Sequence, residues 1–216
     1  MKDIKRYLFI MAAFAAACGF VACGDGGGGG SSDGGSVRAQ YGSAEDGTTI
    51  TFYGNNTFKL VEASGTSTKA ADSKGGNVTI TEGTYTGNPV TGENLACTSS
   101  AGNGVTVKVS GGSATVNGKK LTKAVAVYEN IDYEEGVKEV VTCAFFTDRK
   151  VTITDLYGNN QTLVVSGTYE GNPLQNGEVK ISADFSVIED YDPPTDMTIT
   201  GKDLIWDELE FTRIYP

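Results

Sequence analysis

Asp190, Asp192 and Asp196 fall within seven residues, in Glu189-Asp190-Tyr191-Asp192-Pro193-Pro194-Thr195-Asp196. An oxygen-rich loop of this kind can hold calcium. Two carboxylates about 5 to 10 Å apart across a cleft can cleave a glycosidic bond. The spacing here does not match a calcium loop, and the paired prolines read as a stiff surface turn. Asp132, Glu134 and Glu135 make a second acidic run, which reads as a solvated segment. The chain contains no histidine, which removes Ser-His-Asp catalysis, Cys-His pairs and His-ligated metals. No Gly-rich loop leads from a strand into a helix, so there is no phosphate cradle. Cys97 and Cys143 are the thiols of the chain's body. They are a candidate disulfide, with two buried free thiols as the alternative. The expectation is a chain with no catalytic residue, no metal site and no cofactor.

The elements that must position these residues read as strands. Val105, Val107 and Val109 alternate with Thr106, Lys108 and Ser110, and Val179, Ile181, Ala183, Phe185 and Val187 alternate with polar residues. A period of two places one face on a core and the other in water. Turn residues separate the runs at Gly54-Asn55-Asn56, Gly102-Asn103-Gly104, Gly111-Gly112, Asn117-Gly118 and Gly158-Asn159-Asn160. No stretch of the body sustains a helical pattern. The fold class is therefore all-β, an antiparallel up-and-down meander forming one barrel-like or sandwich-like sheet. Phe52, Tyr85, Phe145, Tyr169 and Trp206 are candidate ligand-lining residues if the sheet encloses a cavity, and core residues if it does not.

The chain repeats itself. Gly83-Thr84-Tyr85-Thr86-Gly87-Asn88-Pro89 returns 84 positions later as Gly167-Thr168-Tyr169-Glu170-Gly171-Asn172-Pro173. Asn117-Gly118-Lys119-Lys120-Leu121 returns as Thr200-Gly201-Lys202-Asp203-Leu204 at a shift of 83, and Phe52 to Val61 aligns with Phe145 to Thr154 at a shift of 93. The drop from 93 to 84 places nine extra residues in the first copy, in the loop Ser64 to Gly76. Two sequence-related halves are expected, 37–128 and 137–216, joined by an acidic link over 129–136.

The amino terminus has the three parts of an export signal. Lys2, Lys5 and Arg6 form a basic start, Tyr7 to Ala17 is almost wholly apolar, and small residues follow. The apolar run is shorter than the roughly 20 residues of a spanning helix. An Ala15-Ala16-Ala17 cleavage site with ordinary secretion is one outcome. The run Phe20-Val21-Ala22-Cys23 resembles the lipobox of bacterial lipoproteins, with Phe20 where leucine is usual and Cys18 as a competing position. The resemblance implies a signal over 1–22 and a diacylglycerol thioether on Cys23 with an N-acyl chain such as palmitate. More than one chain anchors stably where a single chain is reversible. Residues 23–36 are a Gly/Ser-rich tether with an r.m.s. reach of roughly 20 Å.

Charged residues make up 20% and hydrophobic residues 39% of the chain, enough for the body to build a core. The net charge of −10 disfavours nucleic acid, whose phosphates call for clustered Lys and Arg. The Phe-bearing hairpin, the Gly-x-Tyr-x-Gly motif and the late Gly-Lys-x-Leu resemble the lipocalin-like repeat domains of bacterial lipoproteins. That resemblance implies a β fold with a candidate apolar cavity, and no catalytic residue. The expected protein is a non-catalytic envelope lipoprotein, held at a cell or outer membrane through Cys23 with its body outside the cytoplasm. It would bind a protein, a glycan or an apolar small molecule. The alternatives are a lipocalin-like carrier of an apolar ligand and a carboxylate-dependent hydrolase.

Overall fold

The computed structural model describes residues 35–45, 47–63, 76–134, 136–158, 160–183, 185, 195–206 and 209–216. The expected signal, Cys23, nearly all of the tether, the nine-residue insertion, Glu135, Asp190 and Asp192 lie outside them.

The described chain is all-β and antiparallel, without a helix. Its first eight strands are β1 (Val37–Gly42), β2 (Thr49–Tyr53), β3 (Thr57–Ala63), β4 (Gly76–Thr86), β5 (Ala96–Ser99), β6 (Gly104–Val105), β7 (Val107–Ser110) and β8 (Ser113–Val116). Then come β9 (Lys119–Glu134), β10 (Val137–Phe146), β11 (Lys150–Tyr157), β12 (Asn160–Glu170), β13 (Gly177–Ala183), β14 (Asp196–Thr200), β15 (Asp203–Trp206) and β16 (Leu209–Tyr215).

All sixteen belong to one hydrogen-bonded sheet. Strands β9 to β16 pair each with the next, and β16 returns to β9 to close an eight-stranded barrel. The strands outside it repeat this order. β1 to β6 pair in sequence, the chain passes Thr106 into β7, β7 pairs β8, and β8 pairs the start of β9. Asn117 N–H donates to Thr106 O at 2.9 Å, carrying the pairing across that break. β1 meets β9 at Tyr41↔Lys123 and closes this second ring. Closure pairs most of the sheet edges that would otherwise template aggregation.

β9 is the hinge of the arrangement. Its first residues, up to Lys123, pair β8 and β1, and from Ala124 onward it pairs β10. The stretch 129–136, expected as an acidic link, is instead the far arm of β9 and the turn into β10, with Glu134 opposite Val137. Glu129, Asn130 and Asp132 each have a cross-strand partner on β10, so the acidic composition marks the wet end of a strand. A second correction concerns Asn117-Gly118 and Thr200-Gly201. The first turns β8 into β9 and the second turns β14 into β15, one strand earlier round its own ring. Gly-Lys recurs because tight turns require such residues, whatever strand follows. Ring order pairs the tails at a shift of 90, which sets Val107, Val109, Ala114, Val116 and Leu121 against Met197, Ile199, Leu204, Trp206 and Phe211.

Each ring encloses its own core. The amino-terminal ring holds Tyr41, Ile50, Phe52, Phe58, Leu60 and Tyr85. The carboxy-terminal barrel holds Tyr128, Phe145, Tyr169, Met197, Trp206 and Phe211. A third cluster, with Phe146, Val127, Ala144 and Tyr215 packed by Val37 and Ala44, joins the rings side by side. Gly42 lies against Phe146 there, and a Cβ on it would stand 2.8 Å from the ring.

Candidate functional site

The five aromatic residues expected to line a ligand cavity all lie inside the rings, each packed against another aromatic of its own core. Phe52 and Tyr85 meet edge-to-face at 5.1 Å, and Tyr41 meets Phe52 at 6.5 Å in the same manner. In the barrel, Phe145 meets Tyr169 at 5.0 Å and Tyr128 at 6.1 Å, again edge-to-face. Trp206 packs against Phe185 at 5.8 Å. Edge-to-face packing sets the positive rim of one ring on the negative face of the next, worth about 0.5–1.5 kcal/mol beyond area burial.

The phenol groups are spent on main-chain carbonyls. Tyr85 donates to Tyr53 O at 2.8 Å and Tyr169 to Phe146 O at 3.0 Å, each pinning its strand to the neighbouring hairpin. Tyr41 donates to Pro89 O at 2.8 Å and Tyr128 to Pro173 O at 2.5 Å. Each of these prolines ends a Gly-Asn-Pro segment, so the bond ties the turn after β4, or after β12, across one end of its ring. Burial pushes the Tyr41 hydroxyl up to about 12, with the Tyr215 phenolate adding to the effect. Burial also raises Tyr128 and Tyr169, against the pull of Arg213 and Arg149 respectively. A phenol held protonated and bonded to a carbonyl braces the structure. Tyr41 and Tyr128 escaped the sequence reading because their acceptors are backbone oxygens, which no side-chain pattern records.

Gly83 and Gly167 explain the Gly-x-Tyr spacing. A Cβ on Gly83 would fall on Thr98 O, on Ser99 Cα and on the Phe58 ring. On Gly167 it would fall on Ser182 O and Ala183. The glycine lets β5 or β13 cross close beside the tyrosine two residues on.

Cys97 and Cys143 are free thiols, buried in different cores, so the candidate bridge does not form here. Burial pushes Cys97 up to about 11 and Cys143 higher still. Both are therefore protonated and poorly nucleophilic near neutral pH. Of the acidic run near residue 190, Asp196 is described. It is exposed at the start of β14, 3.8 Å from Lys180. Among the described residues no group of three Cys, Asp or Glu could hold a metal ion.

An open cleft of about 860 Å³ lies between the rings. Lys59 of β3, Ile80 of β4 and Ser100 of the turn after β5 line one wall, and Lys138, Val140 and Leu156 of β10 and β11 line the other. A smaller pocket of about 240 Å³ shares Lys59, Glu82, Ser99 and Ser100 with it and extends the cleft toward Tyr53. This cleft left no sign in the residue pattern, because its walls come from strands far apart in the chain.

No family model matches the chain, and no curated protein or solved structure is significantly similar to it.

Proposed function

We propose that the chain is a non-catalytic lipoprotein of the cell envelope. Acyl chains on Cys23 anchor it, and the two rings form a binding module outside the cytoplasm. We also infer that the rings arose by duplication of one lipocalin-like unit within the chain. The observation that carries the binding-module reading is the packing of the described aromatic side chains inside both rings. Phe52, Tyr85, Phe145, Tyr169 and Trp206 occupy the space an apolar ligand would need, and the four core hydroxyls are already bonded. Filled small barrels recognise partners through their outer faces and loops. The duplication is supported by the two Tyr-Phe-Tyr sets, matched in packing and in acceptor type.

Two measurements test the reading. Mass spectrometry of the mature chain is expected to find an acylated N-terminal Cys23, and an unmodified terminus would remove the anchor. Trp206 is the chain's single tryptophan and is 6% exposed in the barrel core. Its emission is expected to stay unchanged when a fatty acid is added. A saturable shift would favour the carrier alternative.

A further inference from the structure

We propose that Asn103 is a site of spontaneous modification, where the folded chain loses side-chain ammonia and gains an aspartate or isoaspartate in the wall of the cleft. The proposal does not depend on the binding-module reading.

An asparagine followed by glycine can close on itself. The glycine nitrogen gives its proton to water and attacks the asparagine Cγ. The Cγ–Nδ2 bond breaks, and the nitrogen takes up a proton and leaves as ammonia. Water then opens the five-membered imide at either carbonyl, to aspartate or to isoaspartate. Glycine permits this because no Cβ hinders the approach or the backbone rotation it needs. The chain has three such pairs, Asn103-Gly104, Asn117-Gly118 and Asn176-Gly177. All three asparagines are exposed, so access to water does not choose among them. Their hydrogen bonds do.

Asn117 is held at the atom that must leave. Its Nδ2 donates to Glu62 Oε1 at 3.3 Å, and its main-chain N–H donates to Thr106 O at 2.9 Å. It also takes a left-handed φ of 50° in a two-residue turn closed by the pair Val116 and Lys119. Asn176 is held at the group that must be attacked. Its Oδ1 accepts from Gly201 N–H at 2.8 Å, which turns the side chain toward the β14–β15 hairpin, and Gly177 lies in the ladder opposite Ile199. Such a bond polarises the carbonyl, but approach of nitrogen to carbon decides the rate, and the bond opposes that approach.

Asn103 is held only through its main chain. Ser99 N–H donates to Asn103 O at 2.8 Å, and Asn103 N–H donates to Ser99 Oγ at 3.1 Å. Among the described residues none bonds its carboxamide. Bonded and unbonded positions alternate along an antiparallel pair. The Ser99–Asn103 bond therefore turns the N–H of Gly104, opposite Thr98, away from β5. On the other side, the Asn117 turn after β8 reaches Thr106 and no further along this strand. The space beside Gly104 is open, with no atom within 4 Å of where a Cβ would stand. Nitrogen and carboxamide are both free to meet.

The product falls where it changes the cleft. Asn103 lines it beside Ser99, Ser100 and Ala101, with Lys59 and Glu82 in the same lining. Aspartate places a new carboxylate there. Isoaspartate also lengthens the main chain by one carbon, at the residue that Ser99 bonds on both its C=O and its N–H sides. The β5–β6 hairpin is then loosened.

The test is peptide mapping of the full chain held in warm, mildly alkaline buffer. Trypsin cuts after Lys74, Lys108, Lys119, Lys150 and Lys180, which puts the three asparagines in separate peptides. Asn103 is expected to convert at least about tenfold faster than Asn117 or Asn176, because each of those must break a bond first. In the urea-unfolded chain the three rates should converge. Gly104→Ala, whose methyl enters open space, is expected to slow Asn103 by about tenfold or more. Glu62→Ala should speed Asn117 and leave Asn103 unchanged. The converted chain, separated by its added charge, should exchange the Ser99 N–H faster and leave the barrel as it was. Faster conversion at Asn117 or Asn176, equal rates at all three in the folded chain, or an Asn103 that stays intact while the unfolded chain converts would overturn the proposal.

Discussion

The two rings agree inside and differ outside. Inside, each stacks Tyr, Phe and Tyr edge-to-face and bonds the tyrosines to carbonyls at matched places. Even the turns agree. Asn56 and Arg149 take φ of 65° and 66°, and their carbonyls accept from Tyr85 N–H at 2.9 Å and Tyr169 N–H at 3.0 Å. Outside, the cross-strand pair Lys59 and Glu82 of the amino-terminal ring borders the open cleft, while its counterpart Thr152 and Ser166 in the barrel meets the other ring. Thr152 is buried, and Ser166 donates its hydroxyl to Ala44 O. The same face is thus covered by the other ring in the barrel and open to the cleft in the amino-terminal ring. The cores differ as well. At the ring closure the barrel sets Met197, Ile199, Leu204, Trp206 and Phe211 where the other ring has Val107, Val109, Ala114, Val116 and Leu121. Val107 and Val109 are only partly buried there. Less apolar area is buried there, so the amino-terminal ring is expected to be the less stable half.

The strongest way to break this comparison is to empty each core in turn. Phe145→Ala and Phe52→Ala each remove a fully buried ring and are expected to cost about 3–5 kcal/mol in denaturant unfolding. Hydrogen exchange should then separate the halves. Phe52→Ala should weaken protection over β1 to β8 and spare β10 to β15, and Phe145→Ala should weaken the barrel. Equal loss across both halves from either variant would mean that the rings open as one unit. Gly83→Ala and Gly167→Ala come next. Each forces a methyl into main chain of the neighbouring strand, and overpacking of this kind costs about 1–3 kcal/mol. The cost should be greater at Gly83, where the Phe58 ring closes the site as well.

Much of this was legible in the sequence. Alternation along Val105 to Val109 and along Val179 to Ala183 announced strands, and the Gly-x-Tyr spacing marked two glycines that each lie against a neighbouring strand, because both signals are local. Residues 129–136 misled, because Asp and Glu disfavour strands on average while the length of β9 is set by pairing to β10. Gly201-Lys202 misled because turn chemistry repeats at every hairpin. The partners of Tyr41 and Tyr128 were illegible for one reason: each is decided by backbone groups 45 or more residues away.

The thiols sharpen the comparison at alkaline pH. A thiol raised from its ordinary 9.0 to about 11, as at Cys97, keeps its proton in the folded state after the unfolded chain has lost it. Its contribution is whole below pH 9 and is lost as pH rises toward 11. Cys143 behaves alike over a longer range. Between pH 9 and 10, before most tyrosines of the unfolded chain ionise, each thiol is expected to cost up to about 1.4 kcal/mol. Cys97→Val and Cys143→Val, followed by urea unfolding at several pH values, should each flatten that decline. Above pH 11 only Cys143→Val should continue to do so. A decline unchanged in both variants would assign it to the tyrosines alone.

The smallest effect is expected from exchanging the matched turn residues. Arg149 holds a left-handed φ, donates Nη1 to Gly171 O at 2.8 Å and lies 5.4 Å from the centre of the Tyr169 ring. Arg149→Asn imports the residue the other ring uses. Asn takes left-handed backbone more readily, while an exposed cation–π contact is worth about 0.5–1 kcal/mol. The two changes oppose each other, so stability should move by less than about 1 kcal/mol. The ionisation of Tyr169 should move clearly. Burial raises its pKa and Arg149 pulls it back, so loss of the guanidinium should push it further up. NMR titration of the Tyr169 ring reads this directly, and a fall would mean that another group sets the field at this end of the barrel.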